Sequence, residues 1–265
     1  MSALSDYLEN KLADHGVGTT TYTPAATLTV KLYTAAPSDT GGGTEVTGGS
    51  YAAVAVTNNT TNFPECVVGD TVVKTNGTVI QFPQATAAWG TVTHWAIYAG
   101  ADMLAWGPVT PNNVVSSGDA PKFGIGKLTI QLLNSANGGF SAAVRRKLMD
   151  LAFGGVVYAK PVAVYAGVGT SISGENPSEW TDAGYDRAAV AFTAASAGAA
   201  VSSTVGGPVM ASSVDTGGST LTHYGLWDDL TSGSLIASGP LSTPRTPAAL
   251  DTLRFNTGEI IMTMQ

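Results

Sequence analysis

Thr93-His94-Trp95-Ala96-Ile97-Tyr98 and Thr222-His223-Tyr224-Gly225-Leu226-Trp227 share one order of side-chain types: threonine, histidine, aromatic, small, aliphatic, aromatic. One such match is weak, but others flank it in the same order. Downstream, Trp106-Gly107-Pro108-Val109-Thr110-Pro111 is echoed by Ser238-Gly239-Pro240-Leu241-Ser242-Thr243-Pro244, and Gly118-Asp119 by Leu250-Asp251. Phe123-Gly124-Ile125-Gly126-Lys127-Leu128 is then echoed by Phe255-Asn256-Thr257-Gly258-Glu259-Ile260. Upstream, Ser5 and Lys11-Leu12-Ala13-Asp14 align with Ser141 and Lys147-Leu148-Met149-Asp150. Tyr22 aligns with Tyr158, and Gly49-Ser50-Tyr51 with Ala183-Gly184-Tyr185. The offset drifts from about 136 at the front to about 132 at the back, as small loop insertions would produce. The chain therefore reads as two diverged copies of one domain, 1–135 and 136–265, joined by the polar stretch Asn134-Ser135-Ala136-Asn137-Gly138-Gly139.

Within each copy the pattern predicts a short amphipathic helix followed by strands. Ser2 is the expected N-cap of the first helix, with Asp6 and Glu9 near its positive end, Leu4, Leu8 and Leu12 as its apolar stripe, and Gly16 as its stop. Ser141 caps the second helix, whose stripe is Val144, Leu148 and Leu151 or Ala152, with Gly154-Gly155 as the stop. Thr27-Leu28-Thr29-Val30-Lys31-Leu32-Tyr33 alternates apolar and polar residues, the period of a half-buried strand, and Val162-Ala163-Val164-Tyr165 is its counterpart. Gly-rich loops are expected over 37–49 and 167–184, each leading to a strand that starts at Tyr51 or Tyr185. Asn76-Gly77 inside 72–80 suggests a hairpin with a primed turn. The expected fold class is mainly β: two tandem antiparallel β-sandwich, jelly-roll-like domains, each with an N-terminal amphipathic helix.

Composition narrows the function classes. Charged residues make up 12% of the 265, about half the usual globular share, while small and turn-forming residues are abundant. The net charge of −7 is spread over both halves with no basic stripe, so no nucleic-acid partner is expected. No apolar run approaches a membrane span, and Met1-Ser2-Ala3-Leu4-Ser5-Asp6-Tyr7 has neither the basic nor the apolar region of a signal peptide. No membrane partner is expected, and synthesis in a reducing cytoplasm fits the single Cys66, which reads as a small core hydrophobe.

No chemistry-bearing constellation emerges. His94 and His223 are repeat equivalents; no other metal-ligand residue lies within four positions of His94, so both read as structural hydrogen-bonding residues. His15 stands where it could complement the negative end of the first helix. Asp228-Asp229 with Asp215 could offer oxygen ligands to a hard cation, but adjacent acids in a polar turn are ordinarily solvated. Arg145-Arg146-Lys147 reads as the solvated face of the second helix, or as a patch for an acidic partner surface. The glycine clusters Gly41-Gly42-Gly43, Gly206-Gly207 and Gly217-Gly218 read as turns. Trp89, Trp95, Trp106 and Trp227 read as buried sandwich aromatics, with Trp180 in a loop. An active site of paired carboxylates would draw on Asp182 and Asp186, yet the matching Gly48-Gly49 of the first copy carries no acid. The expectation is no enzyme, with no catalytic, cofactor-binding or metal-binding residue and no cofactor.

The opening Met1 to Leu12, Tyr22-Thr23-Pro24-Ala25, Leu32-Tyr33-Thr34-Ala35-Ala36-Pro37-Ser38, 41–51, Trp89-Gly90-Thr91-Val92-Thr93-His94 and Gly107-Pro108 together resemble a known family. They are similar to the small virion proteins of tailed bacteriophages that carry a tail-fibre label and in some phages decorate the head. The resemblance covers nearly all of the first copy; the second keeps the Thr-His-aromatic, Gly-Pro and terminal-strand features. Members of this type are usually single copies, so the duplication is a departure. The resemblance implies a virion structural protein, with the major capsid protein or tail proteins as partners and a homo-oligomer, a trimer by family analogy. The leading expectation is a capsid decoration or cement protein that stabilises the outer surface of the head, two fused copies giving two linked attachment surfaces. The alternative is a tail-fibre or tail-associated component involved in host adsorption; the absence of heptads or β-helical shaft repeats tilts the reading to the head.

Overall fold

A computed structural model describes residues 3–67, 72–132, 139–181, 184–205, 219–248 and 251–264. Ser2, the linker residues 134–138, Asp182, Ala183, Asp215, Leu250 and the glycine pairs 206–207 and 217–218 lie outside the described residues. The first repeat runs β1 (Ala3–Leu4), α1 (Asp6–Gly16), β2 (Thr27–Ala35), β3 (Thr44–Glu45), β4 (Val54–Thr57), β5 (Val72–Thr75), β6 (Ile80–Gln81), β7 (Gly90–Ala99), β8 (Asp102–Val115), β9 (Lys122–Phe123) and β10 (Thr129–Leu132). The second runs β11 (Gly139–Phe140), α2 (Ala142–Ala152), β12 (Val164–Ser173), β13 (Asn176–Glu179), β14 (Ala188–Phe192), β15 (Ala199–Val205), β16 (Leu221–Trp227), β17 (Leu235–Arg245) and β18 (Ile261–Thr263). The fold is mainly β, in two tandem repeats that each open with a two-residue strand followed by a short helix.

The two repeats agree in strand register as well as in order. In the first, β7 lies between β2 and β8, with Leu32 opposite Trp95 and Trp95 opposite Gly107. In the second, β16 lies between β12 and β17, with Val168 opposite Tyr224 and Tyr224 opposite Gly239. Even the irregularities recur: β7 shifts register against β8 between Val92 and His94 and between Ile97 and Tyr98, and β16 against β17 between Leu221 and His223 and between Leu226 and Trp227. The alternation in β2 is realised as Leu28, Val30 and Leu32 buried against the core. Among the described residues, the first repeat divides its strands into a main sheet, β1-β8-β7-β2-β3 with β4 also on β2, and the pairs β10-β5 and β6-β9. In the second repeat β14 continues into β15 and β18 pairs with β11, so its layers join in one sheet. The β11–β18 pair is parallel, unlike the rest.

Each helix starts from the same device. Ser5 and Ser141 are the N-caps, and their hydroxyls accept from Leu8 N–H and Val144 N–H. The same hydroxyls donate to Met103 and Leu235 carbonyls, tying each helix start to its sheet. Ser2 is therefore not the cap, and Leu4 belongs to β1, because residues 3–4 pair with β8 before the helix begins. Leu8 and Leu12 are fully buried, each contributing about 1.5–3 kcal/mol of apolar burial. Gly16 is the last helical residue rather than the stop; its missing Cβ makes room for the Phe140 ring of the second repeat. Helix α2 does end at the Gly154-Gly155 pair, both at positive φ.

Three other expectations change. Asn76-Gly77 forms no hairpin: β5 pairs with β10, and β6 with β9. The buried Asn76 side chain instead donates to Thr78 and Gly124 carbonyls and accepts from Leu128 N–H, joining two distant segments. The expected loop after Gly167 is largely strand over 167–181, in β12 and β13, and Gly167 lets the Tyr185 hydroxyl pack against the sheet. The strands after Tyr51 and Tyr185 start three residues later, because both tyrosines turn inward.

Candidate functional site

A Thr-His pair recurs on equivalent strands of the two repeats. On β7, Thr93 Oγ1 donates to Tyr33 carbonyl on β2, and His94 Nδ1 lies 2.9 Å from Thr93 Oγ1. On β16, Thr222 Oγ1 donates to Thr170 carbonyl on β12, and His223 Nδ1 lies 2.7 Å from Thr222 Oγ1. Each histidine is thus spent on its neighbouring threonine, which staples two strands. Burial holds His94 below the usual imidazole range, and its ring lies 5.9 Å from that of Trp106.

A second repeated unit is built on the inward-turned tyrosines. Tyr51 hydroxyl accepts from Leu32 N–H and donates to Glu45, which pairs with Lys31 at 3.0 Å. Tyr185 hydroxyl accepts from Val168 N–H and donates to Glu179, which holds Arg187 at 2.7 Å. Arg187 also donates to Asp229 and Ser232 carbonyls and lies over the Trp227 ring at 4.0 Å. These groups close hydrogen-bond networks within the fold.

The third cluster lies between the repeats, where one continuous apolar core draws on both. Asp14, near the end of α1, accepts from Ala195 N–H at 2.6 Å, in the segment after β14. Asp150, near the end of α2, accepts from Cys66 N–H at 2.8 Å, in the segment after β4. Asp150 also pairs at 2.7 Å with Lys74, which is wholly buried. Asn58 donates to Ala152 carbonyl and accepts from Gly154 N–H at 2.6 Å. His15 is buried, with Nδ1 accepting from Tyr22 N–H and Nε2 2.8 Å from Tyr158 carbonyl. That pair of contacts requires a neutral ring protonated on Nε2, and burial lowers its pKa accordingly. His15 therefore does not act as a cation at the helix end.

The remaining sequence candidates disperse. Burial pushes the Cys66 thiol up to about 12, the nearby Asp150 carboxylate adding to the effect, which leaves it un-ionised. Arg145 is not on a solvated face: it is buried, pairs with Glu175 and donates to Phe140 and Leu132 carbonyls. Lys147 lies over the Tyr158 ring at 5.2 Å, so no basic patch is assembled with Arg145. Asp229 accepts from Thr231 and Ser232 N–H and Asp228 from Ser234 N–H, closing a turn. Among the described residues no three His, Cys, Asp or Glu gather as a metal site. Gly41, Gly42 and Gly43 all take positive φ, as turns do. Trp89, Trp95 and Trp227 are buried, Trp106 donates to Asp39, and Trp180 packs on Tyr185. Asp186 is exposed. No helix among the described residues is long and apolar enough to cross a membrane. Sequence reasoning missed the inter-repeat cluster; its signal was an aspartate kept at the same place in both helices, Asp14 and Asp150.

Comparison with protein-family models matches residues 3–131, and again residues 139–263, to podophage GP4 fiber I protein gp80. The chain belongs to this family. Both gp80-type segments coincide with the structural repeats, so the second copy, though more diverged in its opening, is a full member as well. Membership makes the chain a bacteriophage structural protein of a fibre family, in tandem-duplicated form. No curated protein matches the chain in a sequence comparison.

Proposed function

We propose that this chain is a non-enzymatic building block of a virion fibre or its attachment to the particle, with other tail or fibre proteins as partners. The observation that carries this reading is the gp80 fibre-family match on both repeats. The geometry is consistent with a structural part: the acids and histidines that recur in both repeats are tied into internal hydrogen bonds that brace strands and helices. The duplication would give one rigid block two related outer faces, which suits a connector bridging neighbouring subunits. The tilt toward head decoration comes from the missing shaft repeats; a connector needs none, and the fibre-family match supports the fibre reading at least as well.

Cryo-electron microscopy of the virion, with labelled antibody against the chain, tests the assignment. Density and label on a fibre or at its point of attachment are expected. Density spread over the outer capsid faces would replace the proposal with decoration. Release of soluble sugar from host envelope polysaccharide by the purified chain would overturn its non-enzymatic character.

A further inference from the structure

The inter-repeat contacts obey a symmetry. Asp14 and Asp150 are repeat equivalents, one near the end of each helix. Their acceptor oxygens meet Ala195 N–H and Cys66 N–H, each in the segment that follows the fourth strand of the opposite repeat. The contact that the first repeat makes on the second is thus returned by the second on the first. Reciprocity of this kind is what a two-fold axis imposes on a self-complementary surface.

The surface is buried and polar groups within it depend on it. Asp14, His15, Asn58, Lys74 and Asp150 are all buried, and each bonds a group from the other repeat. The aromatic contacts cross the same boundary: Phe63 lies 6.3 Å from Phe153, and His15 5.5 Å from Tyr158. Separation would strip these groups of their partners across the boundary and expose the apolar core they line.

We propose that the surface formed by the end of each helix and the segment after the fourth strand is a self-association surface, whose partner is a second repeat of this family. In this chain the partner is supplied in cis, so the molecule is a covalently closed dimer. The tether raises the effective concentration of the partner but does not create the interface. This holds whichever part of the virion the chain occupies.

A protease site placed between residues 132 and 139 tests it. The purified full chain is cut under native conditions and run on a sizing column at micromolar concentration. The fragments should co-elute at the position of the uncut chain and separate only in denaturant; separation in native buffer overturns the proposal. In the cut protein, Asp150→Ala should speed fragment dissociation at least tenfold, and an unchanged rate counts against the surface. If that variant does not fold, hydrogen exchange in the uncut, unsubstituted chain decides. The Ala195 and Cys66 amides should exchange only with global opening, and fast exchange at both refutes the reciprocal contact.

Discussion

Asp150→Ala is the most informative single substitution. Its carboxylate is the ion partner of Lys74, a lysine with no solvent exposure, and also the acceptor for Cys66 N–H. Removing one member of a buried pair leaves the other charge uncompensated, a cost of about 3–5 kcal/mol. For a chain of this size that corresponds to a fall in Tm of about 6–20 °C. Lys74→Met should cost less than Asp150→Ala, because Met fills a similar volume and the Asp150 carboxylate left behind keeps the Cys66 N–H and some contact with solvent. The double variant Lys74→Met/Asp150→Asn should recover most of the loss, since no buried charge remains. Urea unfolding of the four proteins ranks these costs against one another. A cost under about 1 kcal/mol for Asp150→Ala, or a double variant as unstable as Asp150→Ala, would refute a buried ion pair at this place.

Other expectations follow from the same geometry. Ser5→Ala and Ser141→Ala should each cost about 1 kcal/mol in urea unfolding, the two values agreeing because the caps are equivalent. His15 is held neutral, so the unfolded chain takes up a proton that the folded chain resists, and stability should decline as pH drops below about 6.5. His15→Leu should flatten that part of the pH–stability curve, read by thermal melts at stepped pH; an unchanged slope would show that the ring is not the titrating group. Burial, then Asp39 and Asp6, raise the Glu9 carboxyl from 4.5 to about 7, so its contribution is present below about 4.5 and lost as pH rises through about 7. Glu9→Gln should therefore stabilise the protein at pH 8 by about 1–2 kcal/mol, allowing for solvent at a partly exposed group, with little effect at pH 4. Cys66 is half-buried and its thiol un-ionised, so it should react more slowly with thiol reagents at pH 8 in the native state than in denaturant; equal rates would contradict this.

The repeat, the β class and the paired histidine strands were legible in the sequence because they depend on local order and period. Leu28, Val30 and Leu32 alternate inward as their spacing requires. Ser5 as cap was legible in the alignment with Ser141, although local reading favoured Ser2. The inter-repeat surface was not legible, because Asp14 and Ala195 are far apart along the chain and no local pattern links them. Asn76-Gly77 shows the opposite failure: a strong local turn signal gave way once the Asn76 side chain found partners at Gly124 and Leu128. Arg145 was placed on the solvated face by the company of Arg146 and Lys147, yet Glu175, thirty residues on, draws it inside.

Lys74 stands opposite Ile130 on β10, and the corresponding place opposite Met262 on β18 is held by Ala200. In an assembly of two identical chains, a gene change alters both sides of the axis at once, so a new buried charge must be accommodated twice. Joining the two copies in one reading frame lifts that restriction. The Lys74–Asp150 pair is a lock fitted to one side alone, and it gives the molecule a front and a back that a symmetric ancestor would lack.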